Sequence, residues 1–330
     1  MKNLIKRLTE AYGPSGSEGP IREVIRKEVE PFVDEIRVDA LGNLICLKKG
    51  TGGKKVLLDA HMDEIGLMVT HIDDKGFLRF GNIGGVNPAV SLGQRVYFEN
   101  GTFGVIGSER IEDPKDLKLE KLYIDIGARD RQEALARVRV GHSAAFFQST
   151  IDLGNRVVAK AMDDRIGCLV IIEALKKLST TKHDIYAVFA TQEEVGLRGA
   201  KVAAFGIEPD VGIAFDVTPT GDTPKARTMN VSLGEGAAIK VKDSSLICHP
   251  GLRNHLVKLA EENSIPYQME VLERGGTDSG AIQMTKAGIP AAVISIPTRY
   301  VHSPGEMVDI GDVNACIKLC QAVCESCLDL

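Results

Sequence analysis

Two adjacent carboxylates, Glu193 and Glu194, end an apolar stretch of the chain, and Gly196 follows them. Residues 185–190 are apolar without alternation, a pattern typical of a strand buried on both faces of a parallel sheet. Ligands of such sheets bind outside the carboxyl ends of the strands. Two neighbouring carboxylates in that place repel each other and lose hydration, so we expect them to have different tasks. One could bind a cation while the other transfers a proton.

Other apolar strands of the sequence are also followed by side chains that bind metal ions. These side chains are His61 and Asp63, Asp216, and His302. Asp163 comes directly before a helix predicted over residues 166–177, where the positive helix end favours a carboxylate. Because the carboxyl ends of parallel strands meet at one edge of a sheet, we expect all of these residues to gather there.

This set of residues offers two imidazoles, several carboxylates and no thiolate, which suits Zn, Co or Mn. Five protein ligands exceed the three of a usual catalytic zinc site, whereas two ions that share one bridging carboxylate fit the number. Two-metal hydrolytic sites hold their ions roughly 3.5–4 Å apart. Each residue alone has an ordinary explanation as a turn, a helix cap or solvated surface. Their recurrence at the ends of several strands favours the metal site.

The amino-acid composition limits which classes of protein this chain can belong to. Of 330 residues, 44% are hydrophobic and 26% are charged, as in ordinary globular proteins. A formal net charge of -5 indicates neither a nucleic-acid partner nor a membrane partner. No apolar run reaches the length of a membrane span, and the N-terminus lacks the apolar core of a signal peptide. We therefore expect a soluble, cytoplasmic protein with reduced cysteines.

Four of the seven cysteines lie near the C-terminus, at positions 316, 320, 324 and 327. Their helical spacing among apolar residues predicts that they are small core residues on one face of a helix. The last three also have the spacing of an iron–sulfur motif. That interpretation is the weaker one, because a barrel would have to follow the motif and the sequence ends at Leu330.

The order of the predicted elements indicates an α/β fold with a mixed, largely parallel sheet flanked by helices. Residues 65–155 have a different sequence pattern, in which short segments typical of strands alternate with residues typical of turns. Only one helix is predicted there, near residues 130–137, and residues 109–121 are predicted to be a loop or flap. We expect a small, β-barrel-like domain at 65–155, inserted into a discontinuous α/β domain formed by residues 1–64 and 156–330.

Five segments carry a resemblance to a known family. They are Ala60–Gly66 (AHMDEIG), Ala161–Gly167 (AMDDRIG), Thr191–Gly196 (TQEEVG), Asp216–Thr218 (DVT) and Arg299–Ser303 (RYVHS). In order and spacing they resemble the motifs of the tetrahedral (TET-type) dinuclear metallo-aminopeptidases, a family with members labelled glutamyl aminopeptidase or cellulase. The resemblance spans almost the whole chain. It implies a zinc-peptidase-like α/β fold whose inserted domain serves assembly and dimerisation.

The resemblance also implies how the ligands divide between two divalent ions. His61 and Asp216 would bind one ion, and Glu194 and His302 would bind the other. Asp163 would bridge the two. Zinc is the first expectation for both ions, with Co and Mn as alternatives.

By the same resemblance, Glu193 would be the general base, and Asp63 would hydrogen-bond His61 and fix its ring. The implied activity is that of an aminopeptidase, in which a metal-bound water attacks the first peptide bond of short peptides. The implied partners are peptide substrates and further copies of the chain, assembled from dimers into a homododecamer.

Three alternatives stay open. A related metallo-carboxypeptidase or amide deacylase would use Arg299 to hold a substrate carboxylate bidentately. An endoglucanase would use paired carboxylates, but neighbours on an extended chain point to opposite sides, and the sequence has no Trp for sugar stacking. A non-catalytic, metal-stabilised assembly protein would need the ligands but no base, which makes Glu193 hard to explain.

Overall fold

The computed structural model describes residues 1–328 of the chain. In chain order the strands are β1 Glu35–Val38, β2 Leu44–Lys48, β3 Lys55–His61, β4 Gly66–Ile72, β5 Leu78–Ile83, β6 Arg95–Phe98, β7 Phe103–Ser108, β8 Leu122–Asp125, β9 Ser143–Phe146, β10 Ile151–Asp152, β11 Arg156–Ala159, β12 Asp184–Ala190, β13 Val211–Thr218, β14 Ala237–Lys242, β15 Tyr267–Val271, β16 Ala291–Arg299 and β17 Glu306–Asp309. The helices are α1 Lys2–Glu10, α2 Gly19–Val29, α3 Pro88–Ser91, α4 Arg131–Leu135, α5 Met162–Lys177, α6 Arg198–Ile207, α7 Pro250–Glu262, α8 Asp278–Gln283 and α9 Ile310–Glu325. Within the described range, no helix is long and apolar enough to cross a lipid bilayer.

Four parallel strands form the centre of a large sheet, in the order β12-β3-β13-β16. On one side β2 and β1 continue the sheet in antiparallel pairing, and on the other side β17, β11 and β10 do so. β14 pairs with β16 and with β15 outside this path. The prediction of an α/β fold with a mixed sheet and a parallel core is confirmed.

The central strands are apolar because both of their faces are covered. Every residue of β13 is buried, and so are the last four residues of β12. Helix α5 is buried from Met162 almost to its end, where it packs against the sheet and against α1 and α9. A helix that is apolar around its whole circumference is suited to such a position. This packing brings the first turn of α5, with Asp163, to the carboxyl ends of the strands.

Strands β4, β5, β8, β7, β6 and β9 close into an antiparallel barrel. The barrel has its own apolar core, which includes Leu67, Val96 and Ile124 and is separate from the core of the large sheet. The small barrel expected from the sequence is therefore present. The exact division of the chain at residues 64/65 and 155/156 stays a prediction. β10, which precedes the second of these boundaries, pairs with β11 of the large sheet.

Inside the barrel segment the sequence predicts a single helix, and that prediction is wrong. The predicted helix is α4, but α3 forms as well. α3 is a single turn, in which the side chain of Asn87 caps the helix by accepting the N–H of Ala89. Four residues are too few to show a helical period, so periodicity could not reveal it. The expected loop at residues 109–121 contains two short 3-10 turns, Pro114–Asp116 and Leu119–Lys121.

Three of the C-terminal cysteines are buried on α9 as predicted, whereas Cys327 is exposed. α9 ends at Glu325, so the helical period does not extend to position 327. The side chain of Lys182 instead donates a hydrogen bond to the sulfur of Cys327 at 3.2 Å.

Candidate metal centre

The carboxyl ends of the central strands bring the predicted site residues to one edge of the sheet. His61 is the last residue of β3 and pairs in register with Ala190, the last residue of β12. Asp216 lies near the end of β13, the neighbour of β3 on its other side. The segments that follow β12 and β16 contribute the remaining strand-end residues, Glu193, Glu194 and His302.

Asp163, in the first turn of α5, lies between the two imidazoles. Its Oδ1 is 3.0 Å from Nε2 of His61, and its Oδ2 is 3.2 Å from Nε2 of His302. Nε2 of His302 is also 3.3 Å from Oε1 of Glu194. The two oxygens of one carboxylate therefore face two different imidazoles, as the oxygens of a ligand shared by two ions would.

Two more carboxylates surround His61. Oε2 of Glu193 is 3.8 Å and Oδ1 of Asp216 is 4.0 Å from Nε2 of His61. Ligand atoms of His61, Asp163 and Glu194 all lie within 4.8 Å of one another, a spacing that one metal ion could span. Together with Asp63, described below, the structure brings all seven predicted site residues into one cluster.

Asp164 also belongs to this cluster, although sequence reasoning does not assign it a role. Ligand atoms of Asp164, His61 and Asp216 lie within 4.8 Å of one another. Oδ1 of Asp164 accepts the N–H of Gly167 at 3.2 Å, whereas Oδ2 has no hydrogen-bond partner within residues 1–328. The doubled aspartate was the available signal in the sequence. A helix cap explains one carboxylate oxygen of such a pair and leaves the rest unexplained.

The donor set fits divalent cations. Glu194 has a largely buried side chain, and within the described residues its Oε1 has no hydrogen-bond partner. A buried carboxylate needs a cation or several hydrogen-bond donors. Burial raises the pKa of the Glu194 carboxyl, and the nearby carboxylate of Asp163 raises it further. Zn, Co and Mn all bind to mixed sets of imidazole nitrogens and carboxylate oxygens.

Asp63 connects three parts of the site. It is fully buried, and its Oδ1 lies 3.4 Å from Nδ1 of His61, which has no hydrogen-bond partner within the described residues. The same oxygen accepts the N–H of Glu193 at 3.0 Å, and Oδ2 accepts the N–H of Glu194 at 3.3 Å. The hydroxyl of Ser15 donates to Oδ2 at 2.6 Å. One carboxylate thus holds the loop that carries both glutamates and lies beside the imidazole of His61.

The segment of Glu193 and Glu194 is not extended chain. β12 has already ended, and Gln192 has a φ of 55°. The expectation that the two carboxylates point to opposite sides of a strand assumed an extended chain, and this assumption is wrong. A turn brings both carboxylates into the site, where Glu193 faces His61 and Glu194 faces His302.

Non-glycine residues with left-handed backbone conformation recur around this site. Ala161, Gln192, Tyr300 and His302 have φ values of 53°, 55°, 62° and 60°. Such conformations cost free energy in residues with a Cβ, and they cluster at binding and catalytic sites. Each of them precedes or carries a proposed ligand.

The barrel forms one wall of the site. A Cβ on Gly84 would lie 3.0 Å from Oε2 of Glu194, and a Cβ on Gly85 would lie 2.5 Å from Nδ1 of His302. Only glycine allows this close approach of the barrel to the ligands. An open cleft of about 490 Å³ adjoins His302 and could admit a substrate; it is lined by Gly85, Asn87, Val90, Tyr300, Val301, His302, Ser303 and Gly305.

Known proteins resemble this chain in sequence and in fold. Residues 42–319 match the family model of the M42 glutamyl aminopeptidases. A relative from Acetivibrio thermocellus that bears an aminopeptidase name is 54% identical over 98% of this chain and 98% of its own length. A lysyl aminopeptidase of Pyrococcus furiosus is 38% identical over 98% of this chain and 96% of its own.

Among solved structures, the TET1 peptidase of Pyrococcus horikoshii aligns with a TM-score of 0.89 and 36% sequence identity. The alignment covers 98% of this chain and 99% of that one. The TET1 peptidase is described as able to assemble into a tetrahedron or a large octahedral shell.

Proposed function

This chain belongs to the M42 glutamyl aminopeptidase family, and from that premise we propose that it removes the N-terminal residue of short peptides by means of two divalent ions. It is a peptide hydrolase of a metallopeptidase family. The observation that carries the two-ion site is the position of Asp163, whose two oxygens lie 3.0 Å from His61 and 3.2 Å from His302.

In this proposal five residues hold the ions. His61 and Asp216 bind one ion, and Glu194 and His302 bind the other. Asp163 bridges the two ions, which its position between the imidazoles supports. Zinc is the proposed metal, and Co or Mn would suit the same donors.

Divalent ions bound here would supply Lewis acidity and lower the pKa of water at the site. Glu193 is the proposed general base, which would take a proton from the attacking water and give it to the leaving amine. Burial raises the pKa of the Glu193 carboxyl well above its ordinary value, although the neighbouring His61 opposes this.

The surroundings of Arg299 support an aminopeptidase over a carboxypeptidase. Nε and Nη2 of Arg299 donate to the two carboxylate oxygens of Asp222 at 2.9 and 2.6 Å. This bidentate pair engages the guanidinium edge that would otherwise clamp the C-terminal carboxylate of a peptide.

The barrel is the proposed surface for self-association, which would produce dimers and from them a homododecamer. Phe103 and Val105, on the outside of β7, are 52% and 47% exposed. Phe103 packs edge-on against Phe147 with ring centroids 5.0 Å apart, so the exposed surface is aromatic as well as aliphatic. Adjacent large apolar side chains in contact with solvent are typical of protein contact surfaces. The shells formed by the related TET1 peptidase support the same proposal.

The cytoplasm is the proposed location of the protein. All seven cysteines are unpaired, and four of them occupy one short C-terminal stretch. Unpaired thiols persist in reducing compartments.

The proposed function is tested with metal-stripped protein, refilled separately with Zn²⁺, Co²⁺ or Mn²⁺. One short peptide is supplied with a free N-terminus, with an acetylated N-terminus, and with an amidated C-terminus. We expect the free and the amidated peptides to lose their first residue only in the presence of metal, and the acetylated peptide to stay intact. Cleavage of the acetylated peptide at a similar rate would instead indicate a deacylase or a carboxypeptidase. A panel of aminoacyl nitroanilides then identifies the preferred N-terminal residue.

A further inference from the structure

Glu306, the first residue of β17, connects two of the proposed metal ligands through their backbones. Its side chain is buried, and the residue is only 2% exposed. Oε2 of Glu306 accepts the N–H of Asp163 at 3.0 Å, and Oε1 accepts the N–H of His302 at 2.8 Å. A single carboxylate therefore binds the peptide groups of the proposed bridging ligand and of the proposed terminal histidine.

The two peptide groups need such a partner because neither has the backbone geometry of a regular helix or strand. His302 has a φ of 60°, and Asp163 has non-helical backbone angles at the start of α5. Their N–H groups therefore have no partner in a helix or a ladder, and a buried N–H without a partner is costly.

The position of Glu306 itself is fixed by the sheet. β17 lies between β11 and β16, and Glu306 pairs in register with Ala159 of β11. β11 leads to Asp163, and β16 leads to His302. Glu306 thus lies between the two chain segments that carry these ligands.

We propose that Glu306 is a positioning residue that fixes the spacing between Asp163 and His302 and thereby sets the affinity for the second ion, the one assigned to Glu194 and His302. The inference rests on the proposed two-ion site. Ligands of a metal site must be held within roughly 0.5 Å of their productive geometry, and residues behind the ligands usually provide this constraint. Glu306 acts only through the backbones of the ligands, so it is not a catalytic residue.

The informative variant is Glu306→Gln. Glutamine keeps the length of the side chain but replaces one acceptor oxygen by an NH₂ group, which would face a backbone N–H. One of the two bonds is then lost, and the spacing between Asp163 and His302 is no longer enforced. Glu306→Asp is the second variant. It keeps the charge, but its shorter side chain cannot reach both N–H groups in their present positions.

Asp312 offers a matched control. It is fully buried on α9, and its two oxygens accept the N–H groups of Gly234 and Gly236 at 2.8 and 2.7 Å. It is therefore the same kind of carboxylate clamp, but the peptide groups that it joins carry no proposed ligand. Asp312→Asn should lower the unfolding temperature and leave metal binding unchanged.

The experiment titrates Zn²⁺ into the metal-stripped wild type and each variant by calorimetry, and repeats the titration with Co²⁺ by visible absorption. We expect the wild type to bind two ions. In Glu306→Gln the second ion should bind about 10–100-fold more weakly, the usual cost of removing a residue that orients a ligand. The first ion should be affected less, because it shares Asp163 but does not use His302. Turnover of Glu306→Gln should recover towards the wild-type kcat at saturating metal, because no reacting group has been removed.

Each outcome decides one question. Unchanged affinity for the second ion in Glu306→Gln overturns the role of Glu306, and so does an equal loss in Asp312→Asn. If Glu306→Gln does not fold, the same two criteria apply to Glu306→Asp. The stoichiometry of the wild type separately tests the proposed function. A single ion per chain in the wild type refutes the two-ion site, and with it the assignment of Glu306 to a second ion.

Discussion

Oδ2 of Asp163 lies 3.2 Å from Nε2 of His302, while Oδ1 of the same carboxylate faces His61 at 3.0 Å. The two imidazoles belong to the carboxyl ends of strands that do not neighbour each other: His61 ends β3 and His302 follows β16, and β13 separates β3 from β16. Asp163 therefore joins the two halves of the site, and both halves should depend on it.

The variant Asp163→Ala should lose metal as well as activity. Without the shared carboxylate, each ion loses a ligand and the charge between the ions is no longer balanced. Elemental analysis after dialysis should find fewer than two ions per chain, and turnover should fall below detection. Asp152→Ala, at an exposed surface carboxylate, is the control and should keep both ions. Two ions still bound to Asp163→Ala would contradict the bridging role.

The variant Glu193→Gln should separate catalysis from metal binding. Glutamine has nearly the same shape as glutamate but cannot accept the proton, so kcat should fall by ~10²–10⁴-fold. The metal content should stay at the wild-type level, because Glu193 is not among the proposed ligands. Glu112→Gln, in the exposed loop of the barrel, serves as the control. Near-normal turnover of Glu193→Gln would remove Glu193 from the role of general base.

The variant Asp63→Asn should weaken the site without removing a ligand. One acceptor oxygen becomes an NH₂ group that faces the donors Ser15, Glu193 or Glu194. Loss of a residue that orients a metal-bound histidine costs about 10–100-fold in metal affinity or activity. Ser15→Ala removes only one of the donors and should have a smaller effect. Equal metal affinity and turnover in Asp63→Asn and the wild type would refute this account of Asp63.

The strand-end residues could be predicted because their signal is local. An apolar run that stops at a histidine or a carboxylate marks the end of a central strand, and parallel strands place these ends together. His61, Asp216 and the pair Glu193 and Glu194 all followed this pattern. That the two glutamates have different tasks was expected from their position, but which of them binds an ion and which is the base came from family resemblance, since the turn at Gln192 leaves no periodic trace in the sequence.

Glu306 could not be predicted in the same way. Its contacts depend on β17 lying between β11 and β16, and this antiparallel pairing joins segments far apart in the chain. A carboxylate three residues after a serine in a loop has no local feature that distinguishes it from a solvated one. Asp164 was hidden for a related reason, because helix capping already explained an aspartate at that position.

The pair of Asp222 and Arg299 predicts a pH dependence of stability. The Arg299 guanidinium holds the pKa of the Asp222 carboxyl well below its ordinary value. A depressed pKa in the folded state stabilises the protein fully above the unfolded pKa of about 3.9, and this contribution is lost as the pH falls towards the depressed value. The gap in unfolding temperature between the wild type and Asp222→Asn should thus be constant from pH 7 to pH 5 and shrink below about pH 4. Metal-stripped protein is used for both, so that ligand protonation cancels, and a gap that widens in acid would contradict the prediction.

The variant Phe103→Asp should weaken self-association while leaving the fold of each chain intact. Phe103 is 52% exposed, so a charge at this position costs little in the isolated chain. In a contact between barrels the same charge would be desolvated next to Phe147 and Val105, which is unfavourable. Multi-angle light scattering should show a lower mass than for the wild type, with an unchanged circular dichroism spectrum. Val38→Asp, at a 42% exposed position on the edge strand β1, is the control and should keep the wild-type mass. If Phe103→Asp also keeps the wild-type mass, this face of the barrel is not the contact that builds the assembly.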